Sequence, residues 1–338
     1  MTEPDLSAKG PTPAPIISVV VPCYRETTHI LDVLAKLGDE VRHISVVDDA
    51  CPDRTGDHVR AHCRDPRVEV LRHAHNTGVG GATLTGYRRA LDAGAAVIVK
   101  VDGDGQMDPR LIRHLVAPVV GGVADYAKGN RFHHLANLAE MPAIRVLGNL
   151  VLSFMTKLSS GYWGIFDPTN GFTAIHARVA RQLQFEKIET GYFFESDMLF
   201  HLNMARAVVT DVPMAAHYGD EDSKLRIHRI APAFMAKHMV NAARRILYAY
   251  FLRDFNIASV ELVLGLFLLL FGGIFGAVHW LASIETGIPA TAGTVILAAL
   301  PIILGTQFLL AFLNFDIQNV PRTPLHLQLG AHAVQPDR

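Results

Sequence analysis

The sequence predicts a doubly wound α/β domain followed by a membrane-embedded helical hairpin. Three observations carry that expectation. From Ile16 to about Asp125, short apolar runs alternate with segments of helical periodicity, the rhythm of a sheet covered by helices. Polar and acidic residues gather directly after several of those runs. The last quarter of the chain holds two stretches, Leu262 to Ile284 and Thr286 to Phe315, with no Asp, Glu, Lys or Arg. A spanning helix needs roughly 20 apolar residues, and both stretches qualify.

The elements follow in order. Ile16–Val21 is a continuous apolar run ending at Pro22, which reads as a buried parallel strand. Thr27–Leu37 places Ile30, Leu31, Leu34 and Leu37 on one helical face. Val41–Val47 is a second strand, Arg54–Cys63 a helix, Val68–Leu71 a third strand, and Gly78–Ala93 a helix that opens with small residues. Ala95–Val101 is a fourth strand, running into Asp-Gly-Asp-Gly. Beyond it, Ala124–Lys128 reads as a strand, His133–Met141 as a mobile loop and Ile144–Leu158 as a helix. Phe172–Ile175 is a strand, Phe194–Met204 a helix and Ala207–Val212 an edge strand.

From Ile227 to Leu252 the helical pattern carries basic residues among Met, Phe, Leu and Tyr. Followed by two apolar stretches, it reads as a helix on the membrane surface. Glu285 and the Gly287–Pro289 turn signal divide the stretches into spans of about 257–284 and 289–315, with Glu261 at the interface. Pro301 is tolerated inside a membrane helix. Arg244, Arg245 and Arg253 precede the pair and Arg322 follows it, while the connecting loop has no basic residue. The positive-inside tendency therefore places both ends in the cytoplasm, most simply at a bacterial inner membrane. The expected division is a disordered tail at 1–15, a catalytic domain at 16–226, a juxtamembrane helix at 227–256, a hairpin at 257–316 and a cytoplasmic tail at 317–338.

Composition narrows the function. The chain has 338 residues, half of them hydrophobic, and a formal net charge of -1. A nucleic-acid binder would be basic over at least one domain. Three cysteines without CxxC spacing make neither a disulfide framework nor a zinc ribbon. The 17 histidines are scattered, with no HExxH, and read as surface or structural residues. Met1 to Pro15 lacks the apolar core of a signal peptide.

Ligands of doubly wound sheets sit beyond the C-terminal strand ends. Here that means Pro22–Glu26, Asp48–Asp53 and Asp102–Gln106. After the fourth strand, Asp102 and Asp104 can face one ion, with Gln106 adding a third oxygen. Such hard oxygen donors suit Mg²⁺ or Mn²⁺ bridged to phosphates. A calcium loop of the EF-hand type needs Glu at its twelfth position, where this chain has Arg113. In Val46–Thr55, Asp49 reads as a binding residue and Asp53 as a helix cap. Tyr24 offers a stacking face and Glu26 offers acceptors. Asn76–Ala82 is neither a Walker loop nor a dinucleotide fingerprint. Its glycines suit tight packing, or an anion at a helix N-terminus.

The ordered set PCYRE, VDDACPDRTGD, NTGVGGA, VDGDGQMDP, GNR and DPTNGF resembles the family-2 glycosyltransferases of GT-A fold. The closer likeness is to the polyprenyl-phosphate branch, which includes dolichol-phosphate mannose synthases and undecaprenyl-phosphate glucosyltransferases. The resemblance implies that Pro22, Tyr24, Glu26 and Asp49 hold the nucleoside of a UDP- or GDP-sugar. Asp102, Gly103 and Asp104 would meet the diphosphate, with Asp102, Asp104 and Gln106 on the metal. Arg131 would face sugar or lipid phosphate, Asp167 the acceptor and Lys224 a phosphate. Before Ser223-Lys224, Glu221-Asp222 replaces the Arg and Gly of the mannose synthases. The implied reaction is inverting transfer to a polyprenyl phosphate, with a separate flippase for the product. A homo-oligomer is left open. The alternatives are a non-processive transferase for another lipid-linked or glycan acceptor and a membrane-tethered sugar-nucleotide binder without turnover. A processive synthase would need a Q-x-x-R-W element, absent around Trp163 and Trp280. A nucleotidyltransferase would need a Gly-rich opening after the first strand, also absent.

Overall fold

A computed structural model describes residues 14–131, 143–167, 170–214 and 227–332. The expected tail at 1–15 falls almost wholly outside these residues, as do the loop at 133–141 and Lys224.

Seven strands form one sheet in the order β3-β2-β1-β4-β6-β5-β7. They are β1 (Ile17–Cys23), β2 (Val41–Asp48), β3 (Val68–Arg72), β4 (Val97–Lys100), β5 (Tyr126–Asn130), β6 (Thr173–His176) and β7 (Val209–Pro213). The four strands β3, β2, β1 and β4 are parallel, as expected. The sheet is not parallel throughout. β6 runs antiparallel to both β4 and β5. The helix at Ala143–Ser160 lies between β5 and β6 in the chain, yet the two strands are antiparallel, so it does not act as a parallel crossover. β7 is an edge strand, as expected, paired with β5 alone.

β1 is buried at every position, and apolar at all but Ser18, because both its faces are covered. Val19 and Val21 face one core with Ile30, Val46, Val99, Ile112 and Leu115. Val20 turns the other way, onto Gly86 of α3 (Val79–Asp92), where any side chain would collide with it. The first two helices are α1 (Ile30–Ala35) and α2 (Thr55–His62). The segment Ile112–Val120, given no element from the sequence, is α4. Its buried residues Ile112, Leu115, Val116 and Val119 repeat at helical spacing, and Pro118 lies inside it.

Contacts divide the chain into two compact units. The first holds the sheet, α1 to α4, α6 (Phe194–Met204) and the residues from Arg322 onward. The second holds residues 154–163 and 227–321, including the end of α5 (Ala143–Ser160). The expected cytoplasmic tail is therefore tied down. It contains α10 (Leu325–His332), and the backbone N–H groups of Leu325 and His326 donate to the buried Asp125 carboxylate at 2.7 and 2.9 Å. The His326 ring bonds the same carboxylate and stacks on His176, centroids 4.2 Å apart.

In the second unit, α7 (Ile227–Leu247) runs on into a π-helical stretch at Tyr248–Arg253. The hairpin is α8 (Ile257–Thr286) and α9 (Ala292–Gln318), of 30 and 27 residues. At 1.5 Å per residue each is about 40–45 Å long, enough for a hydrocarbon core of about 30 Å. Asn256 and Ser259 form a capping box at the start of α8, and Gly287 ends it in the left-handed conformation. Both helices leave most of their apolar side chains uncovered, which fits lipid better than a protein core. The helices meet through small residues. A Cβ at Gly305 would lie 2.8 Å from the Leu269 nitrogen and 2.9 Å from the Gly265 carbonyl, and one at Gly272 2.7 Å from the Ala298 carbonyl. Backbones this close need glycine. Gly305→Leu should force the pair apart and lower the apparent Tm of the detergent-solubilised protein, whereas Gly273→Leu, with open space around it, should leave Tm within a degree or two.

At the close of α9, Asp316 accepts from Arg245 at 2.6 and 2.9 Å, from the Tyr250 hydroxyl at 2.6 Å and from Trp163 at 2.9 Å. A buried carboxylate is tolerable only when so fully paired.

Candidate active site

Parallel pairing sets the C-terminal ends of β2, β1 and β4 side by side. The strand order reverses around β1, where doubly wound sheets bind ligands. The three polar segments named from the sequence all leave this edge.

After β2, Asp48 is fully buried and accepts from the Cys51 and Gly56 backbone N–H groups at 2.7 and 2.8 Å. It closes a turn in which Ala50 and Arg54 have φ of 52° and 53°, a left-handed conformation costly for residues with a Cβ. Asp53 is not the cap expected of it. The residue at the N-cap of α2 is Arg54, with no side-chain bond there. Asp48 supplies the missing acceptor from the strand end. From the sequence Asp48 was only the first residue of the polar segment Asp48–Asp53, and the binding reading fell on Asp49.

Asp49 is buried and its lone pairs are taken. Oδ1 accepts from His73 at 2.8 Å, from the Thr77 backbone at 2.8 Å and from the Thr77 hydroxyl at 2.9 Å, while Oδ2 accepts from the Gly78 backbone at 2.8 Å. Burial acts to raise its pKa, but the bonds from Thr77, His73 and Gly78 together hold it below the usual carboxylate value. Asp49 thus pins the Asn76–Gly78 turn to β2. The Gly80 and Gly81 N–H groups go to the Thr190 carbonyl at 2.8 and 3.1 Å. A Cβ at Gly80 would stand 2.7 Å from the Glu189 carbonyl. The start of α3 is therefore packed against protein oxygens, in line with the tight-packing reading.

The β1 loop leans on the β2 loop. The Arg25 N–H donates to Cys51 Sγ at 3.0 Å, and the Glu26 N–H to the Thr55 hydroxyl at 3.3 Å. Pro22 lies within β1, and Tyr24 beyond it is 41% exposed. A hollow lined by Cys51, Pro52, Arg54, Arg72, His73 and Ala74 opens beside the second of these loops. Arg72 and His73 were not singled out from the sequence.

At the end of β4, Lys100 is 1% exposed, and its ammonium lies between Asp102 at 2.6 Å and Glu195 of α6 at 3.1 Å. Burial alone would lower its pKa, but Asp102 and then Glu195 reverse that and raise it. Asp104 Oδ1 accepts from the Gln106 backbone at 3.0 Å, across Gly105 with φ of 77°. Gly103 sits below, where a Cβ would be 3.1 Å from Ile30. Asp102 and Asp104 are partly exposed and Gln106 is exposed. Among the described residues no three or more His, Cys, Asp or Glu side chains converge as a metal cage. Two carboxylates and an amide oxygen on one turn are instead an open donor set. Mg²⁺ typically uses one or two carboxylates and completes its shell with phosphate and water, so these residues fit such an ion.

Farther along the sheet, β5 ends in Gly129-Asn130, and Arg131 follows directly. Arg131 pairs with Asp167 through Nε–Oδ2 at 2.9 Å and Nη2–Oδ1 at 3.2 Å. Asp167 is fully buried and Arg131 partly exposed, so a buried anion holds two N–H groups of a guanidinium that still reaches the surface. The two residues were proposed separately from the sequence, and the fold joins them. Next to them Lys128 is buried and donates to the Asn170 carbonyl. Burial lowers its pKa to about 8, against partial opposition from Asp167 and Glu195. An unfolded lysine titrates near 10.4. Between pH 8 and about 10 the unfolded chain therefore holds the proton that folded Lys128 has shed, and this group makes stability rise with pH. The difference in Tm between wild type and Lys128→Met should change across pH 7.5 to 9.5, with wild type gaining relative to the variant.

Lys100, Lys128 and Glu195 were all missed from the sequence. A lysine within an otherwise apolar strand was the available signal, since a buried ammonium demands a partner.

The family model described as glycosyl transferase family 2 matches residues 18–184. An undecaprenyl-phosphate mannosyltransferase from Micrococcus luteus is 31% identical over 202 residues, covering 59% of this chain and 82% of that protein. A UDP-N-acetylglucosamine–dolichyl-phosphate N-acetylglucosaminyltransferase from Methanococcus voltae is 28% identical over 217 residues, covering 60% and 86%. Among solved structures, the glucosyl-3-phosphoglycerate synthase of Mycobacterium tuberculosis in complex with UDP superposes with a TM-score of 0.51. It is 17% identical, covering 68% of this chain and 80% of that one. At that identity the likeness is one of fold, and the fold is GT-A.

Proposed function

Because the chain belongs to glycosyl transferase family 2, we propose that it moves a sugar from a nucleoside diphosphate sugar onto a polyprenyl phosphate at the cytoplasmic membrane face. The observation that carries this reading is the combination, on one chain, of the Asp102–Asp104 turn at the switch point and an uncovered apolar hairpin. The relatives named for transfer to dolichyl or undecaprenyl phosphate support the acceptor class.

The nucleoside would lie over Pro22, Tyr24 and Glu26 with Asp49 bracing the floor beneath it. Asp102, Asp104 and Gln106 would hold Mg²⁺ or Mn²⁺. When bound there, the cation would neutralise the departing diphosphate. A phosphate monoester is ionised at neutral pH, so this chain needs no strong base to activate the acceptor. A lipid phosphate oxygen forms the new bond to the anomeric carbon as the bond to the diphosphate breaks, which inverts that carbon. Arg131, oriented by Asp167, would hold the acceptor phosphate against its like-charged donor. Lys224 is assigned to a phosphate on the resemblance alone.

Two spans return a chain to the side it left. Leu325 and His326, after the hairpin, bind Asp125 of the first unit, which supports both ends lying on one face. The basic residues around the hairpin support the cytoplasm as that face. A two-helix hairpin offers no conduit of its own, so a separate flippase would export the product.

The test is purified protein in detergent with Mn²⁺ or Mg²⁺, a short-chain polyprenyl phosphate and a panel of labelled UDP- and GDP-sugars. Label should enter the organic phase from one donor. Donor hydrolysis without lipid labelling would reassign the acceptor.

A further inference from the structure

The buried lysine beneath the acidic turn gives that turn an unusual charge balance. Lys100 touches Asp102 at 2.6 Å and Glu195 at 3.1 Å with 1% of its side chain exposed. Its ammonium can neither leave nor be screened by water. Gly171 presses on the same pair, and a Cβ there would collide with both Asp102 Oδ2 and Lys100 Nζ. One oxygen of Asp102 is thus committed to a cation, and the other is flanked by backbone.

We propose that Lys100 is a positioning residue that makes cation binding at Asp102 and Asp104 conditional on the donor diphosphate. The inference rests on the metal assignment made above for these two residues. A carboxylate already paired with an ammonium is a weaker ligand for a second cation, and the ammonium repels that cation directly. Before the donor arrives, one of the turn's two carboxylates, Asp102, is largely neutralised by Lys100. The diphosphate adds the missing negative charge and oxygen ligands, so ion and donor bind together. Glu195, brought in from α6, tempers the effect. It shares the lysine, leaving Asp102 part of its charge. A lysine serving only to fill the core would have no such link to metal affinity.

Glu195 and Lys100 should therefore act with opposite signs. Free Mn²⁺ is measured by electron paramagnetic resonance against the full-length protein in detergent, with and without UDP or GDP. Wild type should bind weakly alone and about tenfold or more tightly with the matching nucleotide, the order expected for a charge change within a few ångströms. Lys100→Met should tighten donor-free binding by about tenfold and shrink the nucleotide's increment. Glu195→Gln should weaken donor-free binding, and Lys100→Arg should resemble wild type. If Lys100→Met fails to fold, the direction of the Glu195→Gln change decides. Tight donor-free binding by wild type, or no change or a change of the same sign in the two variants, would overturn the inference. No Mn²⁺ binding by wild type even with nucleotide would instead overturn the metal assignment itself.

Discussion

Asp104→Asn should lower kcat for sugar transfer by about 10²–10³-fold, the scale for removing one electrostatic contact to developing charge, while leaving the fold intact. The residue is partly exposed at the lip of the turn, where it accepts from the Gln106 backbone. Circular dichroism and Tm should stay near wild type, and the activity left should have lost its dependence on Mg²⁺ or Mn²⁺. Asp102→Asn should differ. It disturbs a buried pair with Lys100, so loss of activity should come with loss of stability. Retained, metal-independent activity in Asp104→Ala would remove the metal from the account.

Arg131→Met should be the most damaging change on the acceptor side, in stability and in transfer together. It strands Asp167, which is fully buried and takes both prongs of the guanidinium. An uncompensated buried charge costs about 3–5 kcal/mol. Asp167→Asn combined with Arg131→Met should recover much of that stability, because no buried charge is left unpaired, but it should not recover transfer. Thermal unfolding of the two variants separates the structural cost from the loss of the cation that would meet the acceptor. Arg131→Lys keeps the charge but not the fork and should fall between them, with KM for the lipid rising more than kcat falls.

The elements of this protein were largely legible in its sequence because their signals are local. Ile16 to Val21 reads as a buried strand, Phe194–Met204 as a helix, and Leu262 to Phe315 as two spans, each from its own composition. The strand ends were legible too, since Asp102 and Asp104 follow directly on an apolar run. Partnerships were not legible, because they join distant positions. Lys100 finds Glu195, 95 residues on, and Asp125 finds His326, 201 residues on. Nothing near Asp49 in sequence announces that His73, Thr77 and Gly78 will occupy its oxygens. The direction of β6 was hidden for a related reason: a four-residue strand carries no record of which way its neighbours run. Asp53 illustrates the reverse error, in which a residue with the right chemistry and spacing for a cap is displaced by a buried acid on the strand before it.

The measurement closest to the central claim compares a short-chain polyprenyl phosphate with the matched polyprenol, using the same labelled donor, the same metal and the same preparation. The account predicts transfer to the phosphate alone, because only that acceptor brings its own ionised nucleophile to a site where no base is assigned. Equal transfer to the alcohol, or transfer to neither while the donor is consumed, would contradict it.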